Sequence, residues 1–477
     1  MFERKQLKSS AYKQPSLILV TYPIFKMPIT LGPKCYKKDS RMTFDTVQLV
    51  AMSVLAILTT FVIFCTVVEW YNDSFDRRTA KDNQKLGSLM FQRDVAYKPN
   101  PYIYSFSMVT NTRALMKKGN HFAALDTIKF GLVVYIHLYN YYNYLSTVGL
   151  VTLKRIFSTY PITGFRDDRY TWFRLTLPFD AIFIISGMII AFSMQRKLSS
   201  PTSKFNYASY ALKLWLKFAV TYAGSILFIF ILPTTATGPI WDYGMAWLNG
   251  CRDWKTVLSG FFFLSNYNLQ LGLAKSPSVL PYVSLISLFE NRLIVCLNCQ
   301  CNATSTWFMS ALLQLLFIAP VIVFLGHKVP RRGKVVYFLL LTVISAVMSV
   351  LPYLLLKIKP EVHFLEFDSF RDQFISYAWY RLGTNTYLVS FVMGIIGGYM
   401  LADFKVLLRQ ELENVILVIS FVLVQVAIAL NNSFWRLDKS PTLLNSLLWY
   451  SAVRLMSSLG LTYIFYTIAS NRARKYT

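Results

Sequence analysis

Nine stretches of this chain are apolar over nearly the length of a membrane crossing: Val47–Trp70, Ile128–Leu150, Phe173–Met194, Leu214–Leu232, Trp307–Leu325, Val336–Leu356, Tyr387–Ala402, Val415–Leu430 and Leu443–Ile468. A helix needs roughly 20 such residues to cross about 30 Å of hydrocarbon. Inside lipid every backbone N–H and C=O must bond within the protein, so runs of this kind fold as helices. The expected fold class is therefore all-α, a polytopic transmembrane helical bundle of about nine spans. A mean hydropathy of +0.41 is beyond what one soluble core produces. A tenth run, Val257–Phe263, is too short to cross and reads as an interfacial or re-entrant piece.

The formal net charge of +26 is read as positive-inside bias and contact with anionic headgroups, not as nucleic-acid binding. Arg196, Lys197, Lys204 and Lys213 fall in one inter-span segment without an acid, and Lys328, Arg331, Arg332 and Lys334 in another. With the tail residues Arg472, Arg474 and Lys475 they are placed in the cytosol. The loop 358–380 carries more acid than base, and Gly250–Ser305 is near neutral, which suits the far side. The glycosylation candidates Asn302 and Asn431 lie on that far side. One conflict stands: this parity puts the basic segment 1–46 outside and the Asn72 sequon inside. An inverted or non-spanning first segment would remove it. No clear signal peptide opens the chain. Residues 71–124 then form a cytosolic segment, 125–470 the main membrane domain and 471–477 a basic tail. A disulfide from Cys251 to Cys296, Cys299 or Cys301 is expected on the far side, and Cys65 within a span is expected to be inert. The four histidines are scattered, so no metal is expected.

The second span contains YIHLYNYYNYL, Tyr135 to Leu145, which is unusually polar for a lipid-embedded helix. Several segments give it a context. FDAIFIISG (Phe179 to Gly187) resembles the VDTFFFLSGF segment of the integral-membrane acyltransferase 3 family, and the chain is most similar to its animal, nose-resistant-to-fluoxetine-like branch. SFSMVTNTRALM (Ser105 to Met116), TGPIW (Thr237 to Trp241), CRDW (Cys251 to Trp254), TWFMSALLQLLFIAP (Thr306 to Pro320) and WYRLGTNTYLVSFVMGIIGGYML (Trp379 to Leu401) resemble further family segments, in the same order. The likeness covers about residues 105 to 460.

The resemblance implies a bundle of about ten helices. It implies acyl transfer from acyl-coenzyme A on the cytosolic side to a hydroxyl of a lipid or carbohydrate across the membrane. The family places an arginine at the cytosolic mouth and a histidine eleven residues later, roughly 16 Å deeper along a helix, as the base for the acceptor hydroxyl. Lys129 takes the arginine position and Asn140 the histidine position. Asparagine has no useful proton affinity, so His137, three residues earlier on nearly the same face, is the substitute base. The alternative is a neutral imidazole bonded inside the bundle, with Asn140 as interhelical glue. Lys129, Lys213 and Lys217 are candidates for the donor phosphates, although Lys129 as a snorkelling anchor stays open.

Tyr139, Ser186, Gln314 and Arg381 are candidates for the substrate side, with Ser186 and Gly187 alternatively serving close helix packing. Asp180, a carboxylate within a span, is expected to orient a histidine, pair with a base such as Arg381, or cap a polar cavity. Arg454, inside the last span, needs an acidic or carbonyl partner. The family's aspartate is here Leu312, and its members continue two or so spans beyond the point matching Thr477. A catalytically degenerate protein that binds or transports lipids or small hydrophobic molecules is the alternative function. Plasma membrane or endoplasmic reticulum is the expected location; oligomeric state is not legible.

Overall fold

The computed structural model describes residues 18–22, 27–31, 45–85, 101–116, 122–147, 177–200, 205–232, 254–264, 266–267, 303–356, 383–403, 410–435 and 442–473. A short antiparallel ladder, β1 (Ile18–Tyr22) and β2 (Met27–Leu31), pairs Ile18 with Leu31 and Tyr22 with Met27. The remaining regular structure among these residues is helical: α1 (Thr46–Lys85), α2 (Pro101–Phe106), α3 (Met108–Met116), α4 (Ala123–Thr147), α5 (Leu177–Leu198), α6 (Tyr207–Ile231), α7 (Trp254–Phe261), α8 (Ala303–Lys328), α9 (Lys334–Leu356), α10 (Leu388–Asp403, entered through a 3-10 turn at Asn385–Tyr387), α11 (Gln410–Trp435) and α12 (Leu443–Ala473). Eight of them are long and apolar enough to cross a membrane. α4 covers the other expected span. The fold is an all-α polytopic helical bundle.

Four helices form the interior, and all four run in the same direction. Asp180 of α5 meets Ser390 of α10 and Arg454 of α12, all three at the same end. At the other end of the bundle Gln195 of α5 meets His327 of α8. The connecting helices run antiparallel to them on the rim. Phe122, just before α4, stacks against Phe192 late in α5; Thr342 of α9 reaches Met393 of α10, and Asn385 reaches Ser349. Among the described residues the basic segments at the end of α5 and between α8 and α9 gather at one end, called the basic end below. Lipid-facing area follows position. In α5 and α10, 67% of the apolar window is buried, against 17% in α9 and 11% in α1.

The innermost seam joins α5 to α10. Gly187 faces the Phe391 carbonyl, Gly394 the Ile184 carbonyl and Gly398 the Met188 carbonyl so closely that a Cβ at any of the three would collide with the opposite backbone. Spacing of four residues puts Ser390, Gly394 and Gly398 on one stripe of α10. In lipid no hydrophobic gain separates helix–helix from helix–lipid contact, so small residues that admit backbone approach supply the attraction through dispersion.

Prolines inside α8 and α9 are accommodated by neighbours. Pro320 lacks the N–H that would bond Leu316. Instead Tyr210 of α6 donates its hydroxyl to the Leu316 carbonyl at 3.1 Å, and Tyr207 to that of Phe317 at 3.2 Å. Pro352 of α9 likewise leaves the Met348 carbonyl without its helical donor, and Asn385 donates to the adjacent Ser349 carbonyl at 3.3 Å.

α1 carries α2 and α3 along its C-terminal half. The Thr66 hydroxyl accepts from the Met108 N–H at 3.1 Å, and the buried Glu69 carboxylate accepts from the Thr110 N–H at 3.2 Å and its hydroxyl at 2.7 Å. These are the orphan donors of an N-terminus, capped here from another helix. Asp73 completes the row with a 2.9 Å bond from Arg113.

Gly394→Leu should wedge α5 from α10 and cost about 3 kcal/mol, read as a lowered Tm of the detergent-purified protein. Gly131→Leu, where an added Cβ meets nothing within 4 Å, should leave the Tm within a degree or two.

Candidate functional site

α4 packs on α5 and α12, whereas α6 packs on α1, α7 and α8. Between α4 and α6 run four charged residues. Asp126 and Lys129 lie one turn apart on α4, and Lys213 and Lys217 one turn apart on α6. Lys129, half-buried, is within electrostatic range of Asp126 and of Lys217 across the gap. Lys213 and Lys217 are exposed.

The depth of this track follows from the packing. Phe122 stands level with Phe192, so Lys129, seven residues on, stands level with about Ile185. That is some 13 residues from the basic end of α5 at Leu198, or about 20 Å by the helix rise. Lys217 lies ten residues into α6, about 15 Å. The two lysines sit inside the bundle's height, deeper than the mouth where the sequence alone suggests Lys129. A cation at such depth needs water, a carboxylate or an anionic ligand beside it.

The same register carries His137 to the level of Leu177, near the far end. Its ring is exposed, and Nδ1 lies 3.0 Å from the Val133 carbonyl of its own helix. Neither the midplane position nor the bonding into neighbouring helices expected for it is found. Tyr139 and Asn140 follow on α4; their side chains lie outside the described residues, as do Arg381, Cys251, Cys296, Cys299, Cys301 and Asn302. Asn431 falls near the C-terminal end of α11. Cys65 is a buried free thiol.

Asp180 is 2% exposed in the first turn of α5, where the helix N-terminus favours a carboxylate. Its Oδ1 accepts from the Ser390 hydroxyl at 2.7 Å and from Arg454 Nη1 at 3.3 Å. Ser458 stands 2.9 Å from Ser390 and donates to it, because the Ser390 proton is directed at Asp180. Arg454 Nη1 also donates to the Thr386 carbonyl. Its guanidinium lies 5.0 Å from the Tyr387 ring centre and 5.1 Å from that of Tyr450. Tyr387 in turn stacks on Phe183 and Trp307. Arg454 thus has both the acid and the carbonyl that its place in a span demands, and the acid is the other unusual charge of the sequence.

A neutral polar junction lies nearby. Gln314 of α8 donates to the Phe263 carbonyl at 2.6 Å and to Asn266 Oδ1 at 3.1 Å, and accepts from Thr384. Asn266 donates to Thr384 at 2.7 Å. Phe263 has φ of +57° where the chain turns after α7. Trp215 donates to the Phe261 carbonyl at 3.1 Å. Trp215 lies eight residues into α6 and Gln314 eleven residues into α8, so the end of the short α7 meets both helices well inside their length. Its broken backbone is bonded to side chains, the condition under which lipid-depth irregularity is tolerated. Gln314 is engaged in this junction. Ser186 is buried toward the α8 side of α5, beside the Gly187 seam.

Sequence reasoning missed Ser390, Ser458, Asn266 and Thr384. Hydroxyls and amides in spans are common, and only their partners distinguish these. No family model matches the chain, and comparison with curated proteins and with solved structures finds no match.

Arg454→Leu should cost about 3–5 kcal/mol, because it leaves the buried carboxylate without its cation. Combining it with Asp180→Leu should recover a large part of that loss. Thermal melts of the three variants in detergent give the comparison, and additive losses would deny the coupling.

Proposed function

We propose that the protein binds an acyl lipid with a multiply charged anionic head in the α4–α6 track and passes or presents it within the membrane, without transferring the acyl group. The observation that supports this most is the depth of Lys129 on α4 and of Lys217 on α6, well inside the length of each helix. Ammonium groups placed there call for water, a carboxylate or an anionic ligand beside them. The ligand's head enters from the basic end and its chain extends along the exposed apolar faces of α4 and α6. Acyl-coenzyme A fits this description, and so does a phosphorylated membrane lipid.

The absence of transfer follows from the groups available for it. A general base must reach the acceptor proton. Asn140 cannot serve, the exposed His137 ring turns back on its own helix, and the Asp180 carboxylate is engaged with Arg454. Likeness to the acyltransferase 3 family remains the ground for expecting acyl chains as ligands. On that reading the basic end is cytosolic, the location is the plasma membrane or the endoplasmic reticulum, and Asn302 and Asn431 receive glycans.

A second reading, acyl transfer with His137 as base, is favoured by one observation: the lysine track stands where a donor's phosphates would be needed. Radiolabelled acyl-coenzyme A added to the purified protein separates the two. Retention of the label without product, lost on Lys129→Gln with Lys217→Gln, is expected. Label appearing in a lipid or carbohydrate acceptor, abolished by His137→Ala, would establish transfer instead. Restoring the family's residue with Asn140→His tests the scaffold. No gain of turnover is expected, because position 140 lies beyond the level of Leu177 rather than beside the lysine track.

A further inference from the structure

At the basic end, α5 and α8 are tied by His327 Nδ1 and Gln195 Oε1 at 3.3 Å. Arg196 and Lys197 directly follow Gln195, and Lys328 directly follows His327. The chain then turns tightly, with the Pro330 carbonyl accepting from the N–H groups of Gly333 at 2.8 Å and Lys334 at 3.2 Å. Arg331 and Arg332 occupy that turn, and both are exposed. Six cations are thereby mounted on two helix ends and one rigid turn. No acid occurs in residues 181–241 or 291–360.

The aromatic rings beneath hold three of these cations. Arg196 lies 5.5 Å from the Phe192 ring centre, Lys328 4.5 Å from that of Phe324, and Lys334 5.7 Å from that of Tyr399. Positive-inside bias alone asks only for net charge near the surface. A stapled turn with cations seated on rings is an ordered arrangement. Beside it Phe324, Leu325, Val335 and Val336 are 43–67% exposed. That apolar collar is a surface for acyl chains, at the level just inside the headgroups.

We infer that the α8–α9 turn and the adjoining end of α5 form a binding site for a lipid whose headgroup carries more than one phosphate. Arginines side by side grip phosphate oxygens in pairs, and the collar takes the chains. A soluble polyphosphate would use the cations but leave the collar unused, so the lipid is the occupant. This site is independent of the α4–α6 track, and its failure would leave the function proposed above untouched.

The test uses the full chain in phosphatidylcholine nanodiscs. One set contains phosphatidylinositol bisphosphate, and another contains phosphatidylserine at a fraction giving equal total charge. Lipid retained on the protein is measured by native mass spectrometry. Retention of the bisphosphate lipid about tenfold above phosphatidylserine is expected, with that preference lost in R331Q/R332Q. The double variant R77Q/R78Q removes equal charge from α1 and should keep the preference. Should R331Q/R332Q prove unstable, R331K/R332K keeps the charge and should still lose preference several-fold. Equal retention of both lipids, or equal losses from the two charge-removing variants, would reduce the cluster to general surface charge and overturn the inference. Displacement of the lipid by inositol trisphosphate at equal concentration would overturn the role of the collar.

Discussion

The α5–α10 seam is the constraint from which the other placements follow. Gly187, Gly394 and Gly398 let two backbones meet without side chains between them. A membrane offers no hydrophobic reward for joining apolar helices, so contact must come from density of packing and from polar groups that lipid cannot satisfy. The seam provides the first. It fixes α5 and α10 parallel and in register, and that register delivers Ser390 to Asp180.

Polar groups provide the second. Asp180 and Arg454 lie on different helices, far apart in sequence, and each would be costly in lipid without the other. Their pairing is weak evidence for net stability, since two charges lose hydration together. What it fixes is arrangement: only one relative position of α5, α10 and α12 satisfies the carboxylate, the guanidinium and the two serines at once. The Gln314–Asn266–Thr384 junction does the same for α7, α8 and the start of α10. Glu69 does so at the edge of the bundle, holding α3 on α1. Each of these polar groups selects a neighbour.

The charges at depth are met differently. Asp180 and Arg454 meet each other, whereas Lys129 lies within electrostatic range of an acid, Asp126, and of a base, Lys217. On the function proposed above, the α4–α6 track is the ligand-facing part of the protein, and recognition of an anionic acyl lipid takes the place of proton transfer at His137.

Helical class and the positions of eight of the nine expected spans were legible in the sequence, because hydrophobic length is a local quantity that lipid and water sort segment by segment. The same local logic marked Arg454 as needing a partner, Gly187 as a packing position and Val257–Phe263 as too short to cross. It could not tell which base Asp180 meets, because Arg381 and Arg454 are equally plausible until helices are placed side by side. Nor could it set the depth of Lys129, which depends on how far α4 slides along α5 before Phe122 meets Phe192. Periodicity records which face of a helix is apolar. The sliding and rotation of one helix against another are decided by backbone contact and buried hydrogen bonds between residues far apart in the chain, and those exist only in the tertiary structure.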